Sequence, residues 1–246
     1  MNIRSVTCFL NAGDPDTHSD SVREVGKVAR EVGTALESAG FPVQTKRLAT
    51  QALPSAPASR LRLASELSAR SEAAGFEYLS LGPILAAAPD PDLPGLDLLP
   101  ELIGSTETVF TSVLVARRQD ELHLEAIRRT ARAVREIAHT TEQGFGNLRL
   151  AMLANVGPHA PFFPAAYHDG GPPALSLATE SADLAVTAFS EGGTLDEMRK
   201  RLVAAIEQTA GRLVSLVKPL ARRRGIRFIG VDFSLAPFPE DLRSIG

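Results

Sequence analysis

The chain has 246 residues, 44% hydrophobic and 22% charged, with a formal charge of -3 and a pI near 6.0. That is enough apolar chain for a full globular core, without the basic field that nucleic-acid binding needs. The single cysteine, Cys8, excludes a disulfide framework or a cysteine-based metal site, and no apolar run is long enough to span a bilayer. A cytoplasmic protein with neither nucleic acid nor membrane as partner is expected.

In chain order, Ile3 to Leu10 reads as a strand, and Ser21 with Glu24 forms a capping-box signature ahead of a helix bearing Val25, Val28, Val32 and Leu36 on one face. "FPVQTKRLA" is a second strand, "RLRLASELSARSEAAG" a second helix, and "FEYLSLGPI" a third strand ending in a Gly-Pro turn. The proline-rich stretch from Ala86 to Pro100 reads as a loop, the most plausible lid in the first half. "VFTSVLVA" is a fourth strand, Asp120 opens a helix closed by Gly144, and "NLRLAMLAN" is a fifth strand. A loop rich in proline, glycine, aromatic residues and histidine follows, then the strand "ALSLAT" and a helix from Glu180 to Ser190. Thr194 and Glu197 form a second capping box, opening a long helix whose Leu195, Met198, Leu202, Ile206, Leu213, Leu216 and Leu220 make a stripe read as core packing. "IRFIGVDF" is the last strand, expected at an uncovered sheet edge.

Strands alternating with helices imply βα units, a largely parallel sheet and a single α/β domain over residues 1–246. In such a sheet the C-terminal strand ends share one rim, where ligands bind. Asn11, Asp14, Asn155, Glu180 and Asp232 are expected at those ends, beneath the Gly157 to Gly171 loop. Within that loop His159, Phe163 and Tyr167 are candidate ligand contacts, and His168 can move protons near neutral pH. The loop reads either as the roof of a pocket or as an Ω-like segment packing its own aromatics on the sheet end. His168, Glu180 and Asp232 are the candidate catalytic residues, and also the ligand set if a divalent metal is bound. Asp232 alone also fits a hydrogen-bonded structural carboxylate. "GFGN" lacks the residues of a phosphate-binding loop, and Cys8 reads as a small core residue.

The strings "IRSVT", "GFGNLRLAMLANV", "PFFPAAYH", "LATESADL" and "GVDFSLAPFPED", in this order across the whole chain, resemble the domain-of-unknown-function 711 family, also called uncharacterised protein family 0210. The resemblance implies a fold like pyruvate formate-lyase and the other glycyl radical enzymes: a ten-stranded α/β barrel of two five-stranded parallel halves, in a cytoplasmic dimer. Radical chemistry does not carry over, because Cys8 lies on the first strand. Members of the family are longer, with "DFSLAP" near their middle, so this chain corresponds to about the first half of the barrel. The expected function is a small-molecule enzyme with His168 as acid, base or metal ligand. The alternatives are a metabolite-sensing module and a half-barrel subunit completed by a second chain or within a homo-oligomer.

Overall fold

A computed structural model describes residues 1–12, 15–52, 57–87, 92–118 and 122–235, with backbone alone for 15–19 and 57–59. Strands β1 (Asn2–Leu10), β2 (Val43–Thr50), β3 (Tyr78–Ser80), β4 (Ile84–Leu85), β5 (Val109–Ala116), β6 (Leu150–Ala154), β7 (Ala174–Glu180) and β8 (Arg227–Ser234) form one sheet. β3 and β4 both pair with the same side of β5, as one strand interrupted at Gly82 and Pro83, while β6 pairs with its other side. The spatial order is therefore β6, β5, β3 with β4, β2, β1, β7, β8. The first five positions are mutually parallel.

β7 corrects the expectation of one shared rim. It runs antiparallel to β1, pairing Asn2 with Glu180 and Phe9 with Ala174, and β8 runs parallel to β7. The C-terminal ends of β7 and β8 thus lie on the rim opposite those of the other strands. β8 lies at the edge of the described sheet, as expected.

Among the described residues seven α-helices accompany the sheet: α1 (Pro15–Ser38), α2 (Pro57–Ala73), α3 (Leu93–Leu96), α4 (Leu99–Gly104), α5 (Leu124–Thr140), α6 (Ala182–Ser190) and α7 (Leu195–Arg223). Strand alternation sends Val6, Cys8, Leu48, Leu79 and Leu177 to one face, where they pack with α1, α2 and α7. Val113 and Val115 pack with α3, α4 and α5 on that same face. The other face, carrying Ser5, Thr7, Phe9, Arg47, Tyr78, Ser80 and Phe110, is open to the β6 to β7 loop instead.

Several local expectations change. α1 begins at Pro15, so Ser21 lies inside it rather than at its cap. The proline-rich stretch contains α3 and the start of α4, each with a proline in its first turn, where the missing N–H has no intrahelical partner to lose. His123, whose Nδ1 accepts from Ala126 N at 3.1 Å, caps α5, while Asp120 lies outside the described residues. α5 stops at Thr140, and Gly144 sits beyond it in a short 3-10 segment with φ +73°. The capping box of Thr194 and Glu197 forms as expected. The stripe of α7 is core only toward its C-terminal end, at Leu213, Val217 and Ala221, whereas Leu195 is 85% exposed.

Candidate functional site

The loop from Asn155 to Pro173 leaves edge strand β6 and crosses the open face to reach β7. Hydrogen bonds lay it against the sheet. The Pro161 carbonyl accepts from the hydroxyls of Ser5 and Thr7 at 3.4 and 3.2 Å, and the Ala166 carbonyl accepts from Ser80 Oγ at 2.8 Å. Main-chain N–H of His168 donates to the Thr50 carbonyl at 3.0 Å, extending β2 by a bridge between Gln51 and His168. Inside the loop, His159 N–H donates to Tyr167 O, and the Tyr167 hydroxyl donates to Val156 O, both at 2.8 Å. These bonds hold Asn155 and His159 at φ of +57° and +69°, a region that side-chain-bearing residues seldom occupy. Phe163, Ala166 and Ala174 pack on Phe9 and Ala49, so this part of the loop lies directly on the sheet.

The loop brings His159, His168 and Asp169 together with Arg227 of β8. The imidazoles are 5.2 Å apart in an edge-to-face arrangement, and Phe9 packs against both. His159 Nε2 lies 3.5 Å from Asp169 Oδ1 and 3.4 Å from Arg227 Nη2, and Arg227 Nη2 reaches Asp169 Oδ2 at 3.3 Å. Gly171 N–H donates to Asp169 Oδ1 at 2.8 Å, the main reason this carboxyl titrates below its ordinary value.

The two histidines differ in freedom. His168 is buried, its Nδ1 accepts from Gly170 N–H at 3.2 Å, and its Nε2 faces the Pro172 carbonyl at 3.2 Å. With Nδ1 accepting, the neutral ring carries its proton on Nε2 and donates it to that carbonyl. Both nitrogens are therefore occupied. His159 Nδ1 has no hydrogen-bond partner among the described residues.

Burial pushes the pKa of both imidazoles below the ordinary 6.5, against the opposing pull of Asp169. The folded chain therefore binds fewer protons than the unfolded chain as pH falls below about 6.5, where unfolded histidine begins to charge. The stability that neutral rings contribute is complete above that pH and is lost as pH falls toward the folded-state values. Urea midpoints should accordingly decline below pH ~6.5, and a His159→Gln, His168→Gln double variant should show a shallower decline there. An unchanged slope would show that these rings do not carry the effect.

By spacing, His159, His168 and Asp169 could hold a metal ion, since their donor atoms lie within 4.8 Å of one another. The donor chemistry fits a cation poorly: both His168 nitrogens are engaged, and the Arg227 guanidinium faces two of the three groups.

The expected trio of His168, Glu180 and Asp232 is not brought together, because β7 and β8 are reversed. His168 sits level with Leu10 through Thr50, while Glu180 pairs with Asn2; the eight residue steps of β1 from Asn2 to Leu10 span about 26 Å. Glu180 is buried, accepting from Gln44 Nε2 at 2.6 Å with Arg4 Nη1 at 3.7 Å. Asp232 pairs with Ala178 two positions away, and partial desolvation raises its pKa. Those two carboxylates share the far rim. Of the expected ligand contacts, Asn11 Nδ2 donates to Gly170 O at 3.1 Å and reaches the histidine loop. Asn155 lies at the loop's start, where its N–H bonds Ala116 O, Phe163 packs on Phe110, and Asp14 lies outside the described residues. Asp169 and Arg227 were not singled out from sequence, although Asp169 directly follows His168 in "YHDGG".

The fold and this loop define a mixed α/β protein with a polar histidine, aspartate and arginine group on one rim of a mostly parallel sheet. Among the described residues no helix is long and apolar enough to cross a membrane. The chain belongs to the family described as Uncharacterised ACR (DUF711), whose model matches residues 1–246. It is 30% identical to a UPF0210 protein of Methanopyrus kandleri, covering 100% of this chain and 60% of that protein. A UPF0210 protein of Thermoanaerobacter sp. is 26% identical over 98% of this chain and 58% of its own length, and one of Clostridium botulinum is 24% identical over 97% and 58%. The chain thus spans less than two thirds of the length of these relatives.

Proposed function

We propose that the chain carries the proton-transfer site of a cytoplasmic small-molecule enzyme, with His159 as acid or base, Asp169 and Arg227 balancing its charge, and His168 positioning the loop. The observation that carries this reading is the setting of the His159 ring, with one nitrogen between a carboxylate and a guanidinium and the other without a partner among the described residues. Burial and Arg227 favour the neutral ring, which can accept a proton at neutral pH, and Asp169 stabilises the imidazolium that results. The strand order supports placing this site in one half of a ten-stranded barrel: five parallel positions are followed by a reversed pair that would begin a second half. The longer relatives support a site completed by further chain or by a partner subunit.

The test incubates the purified chain with a small-molecule extract and follows consumption by mass spectrometry. Wild type should deplete a compound, and His159→Gln should slow that depletion by about 10²-fold or more while keeping its circular dichroism. Equal turnover by His159→Gln removes His159 from the chemistry. Saturable ligand binding without any consumption would instead favour the metabolite-sensing reading.

A further inference from the structure

The open face of the sheet carries an arginine that makes no ion pair among the described residues. Arg47 alternates to this face from the middle of β2, directly paired with Tyr78 of β3 and Thr7 of β1. Its guanidinium carbon lies 5.7 Å from the Tyr78 ring centre and 5.3 Å from that of Phe163, within cation–π range of both rings. Its Nε donates to Thr45 Oγ1 at 2.8 Å, and that hydroxyl donates to Arg4 O at 2.8 Å. Among the described residues no carboxylate lies within ion-pair distance of Arg47, and its two terminal amino groups have no hydrogen-bond partner. Of the carboxylates that act on Arg47 from a distance, Glu77 pairs with Lys46 and Glu180 is engaged by Gln44 and Arg4.

A half-buried guanidinium is ordinarily paired, because removing its hydration costs free energy that a carboxylate or phosphate returns. Here desolvation, with Arg4 second, lowers the Arg47 pKa to about 10, still far above neutrality, so the group remains a cation. Its stem is held at Nε by Thr45 and two rings lie near the guanidinium, which leaves the two terminal amino groups as a two-pronged donor. That shape matches two oxygens of one oxyanion.

We propose that Arg47 is a binding site for the carboxylate or phosphate group of a small anionic ligand. The site is distinct from the His159 group: Arg47 lies four residues before Gln51, the bridge partner of His168, or about 13 Å along β2. Ligand binding here does not depend on His159 moving protons. Phe163 belongs to the same loop as the histidines, so an anion on Arg47 also rests against the segment that holds them.

The test titrates the whole chain at constant ionic strength with inorganic phosphate and, separately, with malonate, following the Arg47 side-chain Nε signal by NMR and the heat of binding by calorimetry. A saturable shift of that signal by either anion is expected. Arg47→Lys should weaken binding about tenfold, because it keeps the charge and loses the two-pronged geometry, and Arg47→Met should abolish it. Response to phosphate alone assigns a phosphorylated ligand, to malonate alone a carboxylate, and to both the shared oxyanion chemistry. An Arg47 signal that neither anion moves overturns the proposal, as does undiminished binding by Arg47→Met. If Arg47→Met does not fold, the wild-type signal and Arg47→Lys still decide.

Discussion

Truncating Phe9 to alanine should lower the unfolding free energy by about 3–5 kcal/mol, the range for deleting a fully buried aromatic ring. Phe9 has no solvent exposure and forms the floor on which Phe163, Ala166 and both loop imidazoles rest. Removing it deletes the packing between β1 and the crossing loop in addition to the ring's own burial. Phe9→Leu, which conserves most of the volume, should cost less than half as much. Denaturant midpoints at constant slope measure both. A loss below about 1 kcal/mol for the alanine variant would mean that the loop is held by its hydrogen bonds alone.

Gly82→Ala is the second large effect expected, and it arises from backbone contact. A Cβ at this position would overlap the carbonyl group of Gln51 and the amide nitrogen of Ala52, both main-chain atoms that no rotamer change can move. Gly82 N–H also donates to Thr50 Oγ1 at 3.1 Å, tying the break between β3 and β4 to the end of β2. Alanine must therefore push apart two strands just where Gln51 bridges His168. The cost should reach or exceed the upper part of the roughly 1–3 kcal/mol typical of overpacking, seen as a lowered melting temperature or loss of soluble protein. Gly33, beside which an added Cβ meets nothing within 4 Å, is the control, and Gly33→Ala should be tolerated. Equal melting temperatures for the two variants would contradict this account.

Element type was legible where side-chain period carries it. The alternation of Val6, Cys8 and Leu10 and the 3.6-residue spacing of Val25, Val28, Val32 and Leu36 are properties of one segment and survive in the structure. Strand direction is a property of pairs, and "ALSLAT" reads the same in either sense. The clue to its reversal lay in what precedes it: the β6 to β7 connection contains no helix, whereas a parallel crossover ordinarily does. Assuming one direction placed Glu180 and Asp232 on the rim of His168. Proline content likewise hid α3 and α4, since proline favours the first turn of a helix as readily as a loop. Arg47 was passed over within "QTKRLA", where only knowledge of which face lacks helices separates an inward arginine from a surface one. The site was therefore half legible: the loop, His159 and His168 could be read, whereas Asp169 and Arg227 required the third dimension.

The reversal of β7 and β8 also sets the electrostatics of the helix layer. α1 follows β1 and runs against it, and α7 precedes β8 and runs against that strand, so these two packed neighbours point in opposite directions. Their macrodipoles oppose, and Arg223 and Arg224 at the end of α7 reach Glu31 of α1 at 3.3 Å. In a uniformly parallel α/β layer every helix aims its positive end at the same rim, and the sum attracts anions there. Here the rim that carries the histidines receives the positive end of α1 and the negative end of α7. The charge that an arriving molecule meets at that rim is therefore set by individual side chains, Asp169 and Arg227 foremost, and a single substitution at either can invert its sign.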